Sequence, residues 1–394
     1  MCAFRGRQRV QHDAPIIPEN HGQVVISFAG TIDAEVSMPP LLQFIIRRFL
    51  VVPVSLIVIT MVLYGGVMLT PPEARAQLYF PQRMNPNMSD EQLEKFTENI
   101  IERHHLRDPY LVQYGYWVAS LFDGTWGFSQ SLNAPVLPAL LHRTPITLEL
   151  TMYSLLFLVP LGLISGVLAG WKRSGIFDRI FRGAAFLSTT TPTFILAMVL
   201  ISVFYINLGW FAPGRISLEY SLEFSKGTFN SYTGMLTIDS LLNGRLDIFA
   251  DAWRHLAMPV FTLSLYHWAT LGRITRATMI LEKDKEYIIS ARARGVAERR
   301  VVWHHAFFNM LSPSLTSMTL SAATIITGVF VSEIIFDFDG VSYVITEAMR
   351  GVPDAPAALG FAVYSVIIIL LLMFVLDVLQ AVFDPRVREG VLKS

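Results

Sequence analysis

The sequence predicts an all-α polytopic membrane protein: six transmembrane helices, a charged helical hairpin on the cytoplasmic side and a small extracytoplasmic cap. Three observations carry this. The 394-residue chain is 53% hydrophobic and only 16% charged, too apolar for an ordinary soluble protein of this length. Six stretches are near or above the ~20 residues needed to cross the hydrocarbon layer. The lysines and arginines flanking those stretches gather on one side, as the positive-inside rule requires.

The six stretches are Phe49 to Leu69, Leu148 to Gly170, Ala184 to Leu208, Met258 to Ile280, Leu315 to Phe336 and Ala357 to Phe383. The fourth is the weakest, because Arg273 and Arg276 lie near its end. Only helices or closed barrels satisfy the backbone in lipid, and continuous apolar runs of this length favour helices. Arg47 and Arg48 precede the first span; Lys172, Arg173, Arg179 and Arg182 separate the second from the third. Lys283, Lys285, Arg292, Arg294, Arg299 and Arg300 separate the fourth from the fifth, and Arg386, Arg388 and Lys393 follow the sixth. With six spans all four groups face the cytoplasm, and both termini lie inside.

The regions between spans complete the layout. Residues 1–40 form a polar N-terminal tail with one short possible strand, QVVISF. Met38, followed at once by PPLLQFIIRRFL, looks like a natural start, so the first 37 residues read either as a regulatory tail or as a start codon placed too early. No signal peptide core is present. Residues 41–147 hold the first span and a long outer loop with its own helix signal. Ser89-Asp-Glu-Gln92 reads as a capping box, and Leu93, Phe96, Ile100, Ile101 and His104 follow at helical spacing. An aromatic, Gly-rich run completes a small packed cap. Residues 148–388 form the core transmembrane domain, with a charged segment at 281–313, and 389–394 a short tail. The second outer loop, 209–257, is rich in Gly, Ser and Asn without clear period.

Motifs for chemistry are missing. No phosphate-binding loop and no His-Glu-x-x-His occurs. Cys2 is the only cysteine, which excludes an internal disulfide and a cysteine metal site. The adjacent pairs His104–His105 and His304–His305 point in different directions on a helix, which disfavours chelation. No catalytic, cofactor or metal site is expected, and a net charge of zero gives no reason to expect nucleic acid. Glu149, Glu333 and Asp377 are acids close to spans. Such carboxylates are functional suspects, although each lies near a span end, where snorkelling or capping serves equally well.

The segment from Leu281 to Asn309 is the most informative. Its first half, LEKDKEYIISARAR, contains good helix formers and no breaker. Gly295 then interrupts it as a helix C-cap or tight turn would. A second short helix follows, with Val302, Trp303, Ala306, Phe307 and Met310 on one arc, and Pro313 marks the return to the membrane. Read alone, this is an amphipathic hairpin whose arginines meet lipid headgroups.

The surrounding residues add a resemblance. Leu271-x-Arg273-x-Thr275-Arg276-Ala277-x-Met279, Glu286-Tyr287-Ile288, Ala291-Arg292-Ala293-Arg294-Gly295, Arg299-Arg300-Val301, His305-Ala306, Asn309 and Pro313 follow in order. Further matches are Pro109 with Val112-Gln113-Tyr114, Gly124 with Gly127, and Arg143-x-Pro145-x-Thr147-Leu148-Glu149-Leu150. Asp178-Arg179, Pro192-Thr193-Phe194, Leu208-Gly209-Trp210 and Asp384-Pro385-Arg386-x-Arg388 complete the series. From about Leu41 to Arg388 the chain resembles the membrane-spanning permease subunit of ABC importers of the dipeptide/oligopeptide type. It departs from the family pattern at Ile289-Ser290-Ala291, where a Glu-Ala-Ala is usual, at Phe338-Asp339-Gly340-Val341-Ser342 and at Leu359-Gly360.

The resemblance implies a non-enzymatic permease of the plasma (inner) membrane that moves peptides or similar small solutes while a separate subunit hydrolyses ATP. Its partners would be a second, related permease in a heterodimer, two cytoplasmic ATPase subunits and an extracytoplasmic solute-binding protein. The charged segment becomes a coupling motif, in which the short helix after Gly295 docks on an ATPase. Glu286, Tyr287, Ala291, Arg292, Arg294, Gly295, Arg299, Arg300, His305 and Asn309 are its expected residues. Glu149, Pro192, Thr193 and Glu333 are candidates for the translocation pathway. Two other classes stay open. A channel or secondary transporter would work without an ATPase. An intramembrane enzyme would draw its nucleophile from Ser154, Ser165 or Thr189 to Thr191, none of which has a convincing base nearby in sequence.

Overall fold

Helix α1 (Pro40–Met68) runs unbroken through Pro53. Its outward side chains, among them Phe49, Val54 and Val62, are exposed, as expected of a helix whose surroundings are apolar. The computed structural model describes residues 40–76, 79–80, 89–227, 229–350 and 354–383. The QVVISF stretch and the Asp384-to-Arg388 signature lie outside the described residues.

Among the described residues, the long first loop carries the helices α2 (Pro72–Ala76), α3 (Asp90–Arg103) and α4 (Tyr110–Phe122). The capping box is present as the sequence predicts. The Ser89 hydroxyl accepts from the Gln92 N–H, and the Gln92 side chain accepts from the Ser89 N–H. Ala76, Ile100, Ile101 and Leu106 form the small core of this unit. A two-residue antiparallel ladder, β1 (Phe128–Ser129) with β2 (Ala134–Pro135), leads into the next helix.

Helix α5 (Val136–Trp171) begins twelve residues before the apolar run does, and α10 (Leu246–Lys283) also extends the predicted span at its start. The two pack along much of their length. On α5 the spacing Gly162, Gly166, Gly170 presents one face of bare backbone. A Cβ there would meet Leu271 at 2.8 Å, the Gly272 carbonyl at 2.6 Å and the Arg276 carbonyl at 2.7 Å. The glycines let the backbones approach as small-xxx-small stripes do in membranes.

The third predicted span is not one straight helix. Helix α6 (Ile176–Thr190) and helix α7 (Thr193–Leu200) meet at 102°. Pro192 has no N–H to continue the ladder and disfavours helical geometry in the residue before it, and Thr191 is indeed extended. After α7 the chain passes into a π-helical stretch, Ile201–Asn207. The second outer loop carries α8 (Leu218–Ser225) and α9 (Leu236–Leu242).

After α10 come α11 (Glu286–Ala293), α12 (Glu298–Arg300), a π-helical turn at Val301–Ala306, and α13 (Phe307–Phe336). The last three are contiguous. The expected separate short helix after Gly295 is therefore the first turns of one long helix, and Pro313 lies inside it. Helices α14 (Ser342–Ala348) and α15 (Ala355–Phe383) complete the described chain.

By length and composition, Leu42–Met68, Val136–Trp171 and Ala355–Val382 are each able to cross a membrane, and the bent α6–α7 pair makes a fourth if it is one span. That is three to four spans of this kind among the described residues, against six expected. The protein is a helical, polytopic membrane protein at the level these spans establish.

Candidate functional site

The charged segment is built as a capped helix and turn packed on the ends of α5 and α10. Helix α11 ends in a Schellman motif. The Gly295 N–H donates to Arg292 O at 2.9 Å and the Val296 N–H to Ala291 O at 3.2 Å, the bond pattern of that cap. Gly295 sits at φ +75°, and nothing lies within 4 Å of where its Cβ would be. Glycine is needed there for its backbone angle, not for space.

Beneath the turn lies an apolar cluster. Ile288 and Ala291 of α11 pack with Val301, Val302, Ala306 and Met310 against Val167 and Trp171 of α5 and Met279 of α10. The arc predicted for the second helix is real, but it faces the protein's own core. It is not a free apolar surface, because the continuous α12–α13 rod turns it inward.

Polar contacts lock the same junction. The Trp171 indole N–H donates to Glu298 Oε1 at 3.0 Å, and Arg292 donates to both oxygens of that carboxylate, at 2.8 and 3.2 Å. Arg292 hydrogen bonds hold the Glu298 carboxyl below its ordinary value. Arg292 also lies over the Trp171 ring, 5.0 Å from its centroid. Lys283 donates to Trp171 O at 2.9 Å. Glu282, itself buried, accepts from Lys285 and from the Tyr287 hydroxyl.

The ten candidate residues of this segment thus divide. Ala291 is buried, while Tyr287 and Arg292 are half-buried and bonded inward. His305 and Asn309 are half-buried, and the Asn309 side chain donates to His305 O at 3.0 Å. Glu286, Arg294, Gly295, Arg299 and Arg300 are exposed. Ile289 of α11 is 56% exposed beside them. Arg294, Val296, Arg300, His304 and His305 line an open hollow of about 470 Å³, so the projecting surface is cationic with an apolar spot.

A second ion pair accounts for one of the two arginines in the fourth apolar stretch. Arg276 of α10 donates from Nε and Nη2 to both oxygens of Asp178 on α6, which is fully buried and also accepts from the Ser174 N–H at 3.0 Å. Arg182 lies 3.7 Å from the same carboxylate. A paired, hydrogen-bonded arginine is tolerable where a lone one is not.

The four pathway candidates lie in two kinds of place. Pro192 and Thr193 form the α6–α7 break. Glu149 and Glu333 are fully buried and committed to internal bonds. Glu149 accepts from the Thr237 N–H at 2.7 Å and its hydroxyl at 2.6 Å, and from Arg215 at 3.0 Å, which pins the second outer loop to α5. Glu333 accepts from the Thr147 hydroxyl and from the Ser342 N–H at 3.0 Å, closing the turn between α13 and α14 onto α5.

Sequence reasoning missed Trp171, Glu282 and Glu298, whose partners are distant or across a turn. It also missed the Gly162, Gly166, Gly170 stripe, for which the four-residue spacing was a readable signal. The serine and threonine hydroxyls considered as nucleophiles at Ser165, Thr189 and Thr190 each donate to the carbonyl four residues back. One Ser–His–Asp group does assemble: Ser217 with His255 Nε2 at 3.3 Å and Asp251. Its connectivity differs from a relay. Ser217 donates straight to Asp251 at 2.6 Å, while His255 Nδ1 faces Gly214 O at 3.1 Å. A catalytic relay needs the carboxylate on the far imidazole nitrogen; here the group fixes the loop before α8.

The profile of the family described as binding-protein-dependent transport system inner membrane component matches residues 159–389. A di/tripeptide transport system permease protein of Pseudomonas aeruginosa is 30% identical over 350 residues, covering 89% of this chain and 99% of that protein. A probable D,D-dipeptide transport system permease protein of Escherichia coli is 31% identical, covering 76% and 87%. An oligopeptide transport system permease protein of Bacillus subtilis is 29% identical, covering 77% and 88%.

Proposed function

The chain belongs to the binding-protein-dependent transport system inner membrane components, and on that premise we propose that it is the peptide-translocating permease of an ATP-driven ABC importer, coupled to its ATPases through the 285–300 projection. The substrate class follows the names of its relatives, which are di-, tri- and oligopeptide permeases. Six spans, with α6–α7, α10 and α13 counted among them and both termini cytoplasmic, accord with the distribution of basic residues. The partners are a second, related permease, two ATPase subunits and a solute-binding protein received by the outer cap.

The observation that carries the coupling role is the clasp of Trp171, Arg292 and Glu298 over the apolar cluster. It joins the ends of α5 and α10 to α11 and to the start of the α12–α13 rod. A displacement of the projection by a partner therefore moves helices as a lever, not a loop. The exposed face of α11 and the turn, with Ile289, Arg294, Arg299 and Arg300, is the surface left for docking. Exposed arginines contribute only about 0–1 kcal/mol per pair, so their role is register and specificity. Pro192 and Thr193, at a sharp break, suit a moving gate. Glu149 and Glu333 suit the fixed outer frame around it.

The test is co-purification of the chain with its ATPases and second permease in detergent, comparing wild type with Gly295→Trp. A side chain at φ +75° strains the turn, so the variant should insert normally, lose the ATPases and stop uptake. Retained ATPases and normal uptake in the variant would sink the coupling role. Solute flux by the chain reconstituted alone would favour a channel or secondary transporter instead.

A further inference from the structure

Arg75 of α2 is 6% exposed and has no carboxylate partner among the described residues. Its guanidinium is met only by neutral acceptors: Gln113 Oε1 at 2.8 Å, Leu106 O at 2.7 Å and Met68 Sδ at 3.0 Å. Its Nε is buried with no partner. Residues 77–78 and 81–88, which follow it, contain no aspartate or glutamate. A buried cation without a counter-ion is costly; by contrast Glu149 has Arg215 and Asp178 has Arg276.

Arg75 lines a cavity of about 700 Å³ between the first outer loop, the last turns of α1 and the first turns of α15. That volume is within the usual range for a bound small molecule. Its walls are aromatic. Tyr64 stacks on Trp117 with centroids 4.9 Å apart, Tyr79 stacks on His104 at 3.9 Å, and Trp126 lies beyond them. A cavity with one positive charge that has no carboxylate partner among the described residues, and a mainly aromatic and aliphatic lining in which Gln113, Gln130, Ser120 and Thr125 are the neutral polar groups, fits an anion that carries an apolar body.

The position selects the source. The cavity opens at the ends of two membrane-spanning helices, where tyrosine and tryptophan mark the headgroup level. Nearby, Val62 of α1, Leu69 just after it and Phe122 at the end of α4 are exposed apolar side chains. We propose that this cavity binds an anionic phospholipid, with the phosphate drawn to Arg75 and part of the acyl region against Trp117 and Trp126. The bound lipid would brace the outer loop against α1 and α15 and make the transporter sensitive to the anionic lipid content of its membrane.

The experiment uses the full transporter assembly in phosphatidylcholine nanodiscs. Phosphatidylglycerol with brominated chains is titrated in, and tryptophan quenching is read. Quenching should saturate, and most of it should vanish in the Trp117→Phe/Trp126→Phe variant. Arg75→Gln should weaken the apparent affinity by on the order of tenfold, the cost of one charge-assisted hydrogen bond. Arg107→Gln, an exposed arginine of the same cap, should not. Because Arg75 also holds Leu106 and Gln113, a second variant leaves it untouched: Ser120→Phe fills the cavity and should abolish saturable quenching. The proposal falls if brominated phosphatidylcholine quenches as well as phosphatidylglycerol, or if Ser120→Phe leaves quenching unchanged. It falls equally if inorganic phosphate displaces the lipid, which would make the site one for a small free anion.

Discussion

Trp171 and Glu298, 127 residues apart, are joined by a 3.0 Å hydrogen bond from the indole N–H to the carboxylate. One end of the bond is the last residue of α5, the other the first residue of α12. The Glu298 side chain is half in solvent, so removing it costs little stability. Glu298→Ala should therefore leave the melting temperature nearly unchanged while uptake per ATP hydrolysed falls several-fold. Uptake and ATPase assays on the same proteoliposomes check this; proportional loss of both would show that the clasp does not couple them.

The glycine stripe predicts a contrast within neighbouring helices. A Cβ on Gly166 would lie 2.6 Å from both the Gly272 carbonyl and the Thr275 Cβ, and backbone cannot move aside cheaply. Gly166→Leu should cost about 3 kcal/mol or more through overpacking and separate α5 from α10. Gly183 of α6 has nothing within 4 Å of its Cβ position, so Gly183→Ala should be neutral or stabilising by about 0.5–1 kcal/mol. Thermal unfolding of the two purified variants in one detergent distinguishes them.

Gly340 is a tighter case. A Cβ there would fall 2.2 Å from Glu333 Oε1, and that carboxylate is fixed by Thr147 and Ser342. Gly340→Ala should displace the carboxylate, leave buried polar groups unpaired and cost about 2–4 kcal/mol. Gly340→Ala combined with Glu333→Ala should recover part of the loss, since the clash goes with the carboxyl. A double-mutant cycle on melting temperature reads the coupling, and strict additivity would contradict it.

Asp354 makes a pH-dependent clasp in the cap. Burial alone pushes its carboxyl up, but the Ser131 N–H, the Ser129 hydroxyl, the Ala357 N–H and the Ser131 hydroxyl all donate to it and hold it below its ordinary value of 3.8. A depressed carboxyl contributes stability above its unfolded value and loses it as pH falls through the folded one. Asp354→Asn should therefore be less stable than wild type at neutral pH, and the difference should shrink on acidification below the usual carboxylate range. Protease cleavage within 128–135 as a function of pH measures it; a difference that grows in acid would overturn the assignment.

Local chemistry made much of this protein legible in its sequence. Apolar runs mark where lipid-facing helix must be, because the bilayer supplies no hydrogen bonds. The capping box at Ser89 and the glycine turn at Gly295 are set by residues within a few positions of each other, and both stand where the sequence places them. The ordered motif residues are sufficient to indicate the family.

What the linear order cannot carry is which side chains meet. Arg276 reads as a flaw in an apolar stretch until Asp178, 98 residues away, neutralises it. Glu149 and Glu333 read only as acids near span ends until Thr237, Arg215, Thr147 and Ser342 are seen to donate to them. The second half of the charged segment reads as an amphipathic helix, but its apolar arc is filled by Val167, Trp171 and Met279. The sequence determined where the apolar helices lie and local signals such as the Ser89 cap and the Gly295 turn, because those depend on neighbours in the chain. Only the tertiary structure decided which charges are spent inside and which remain for a partner, because burial and pairing depend on neighbours in space.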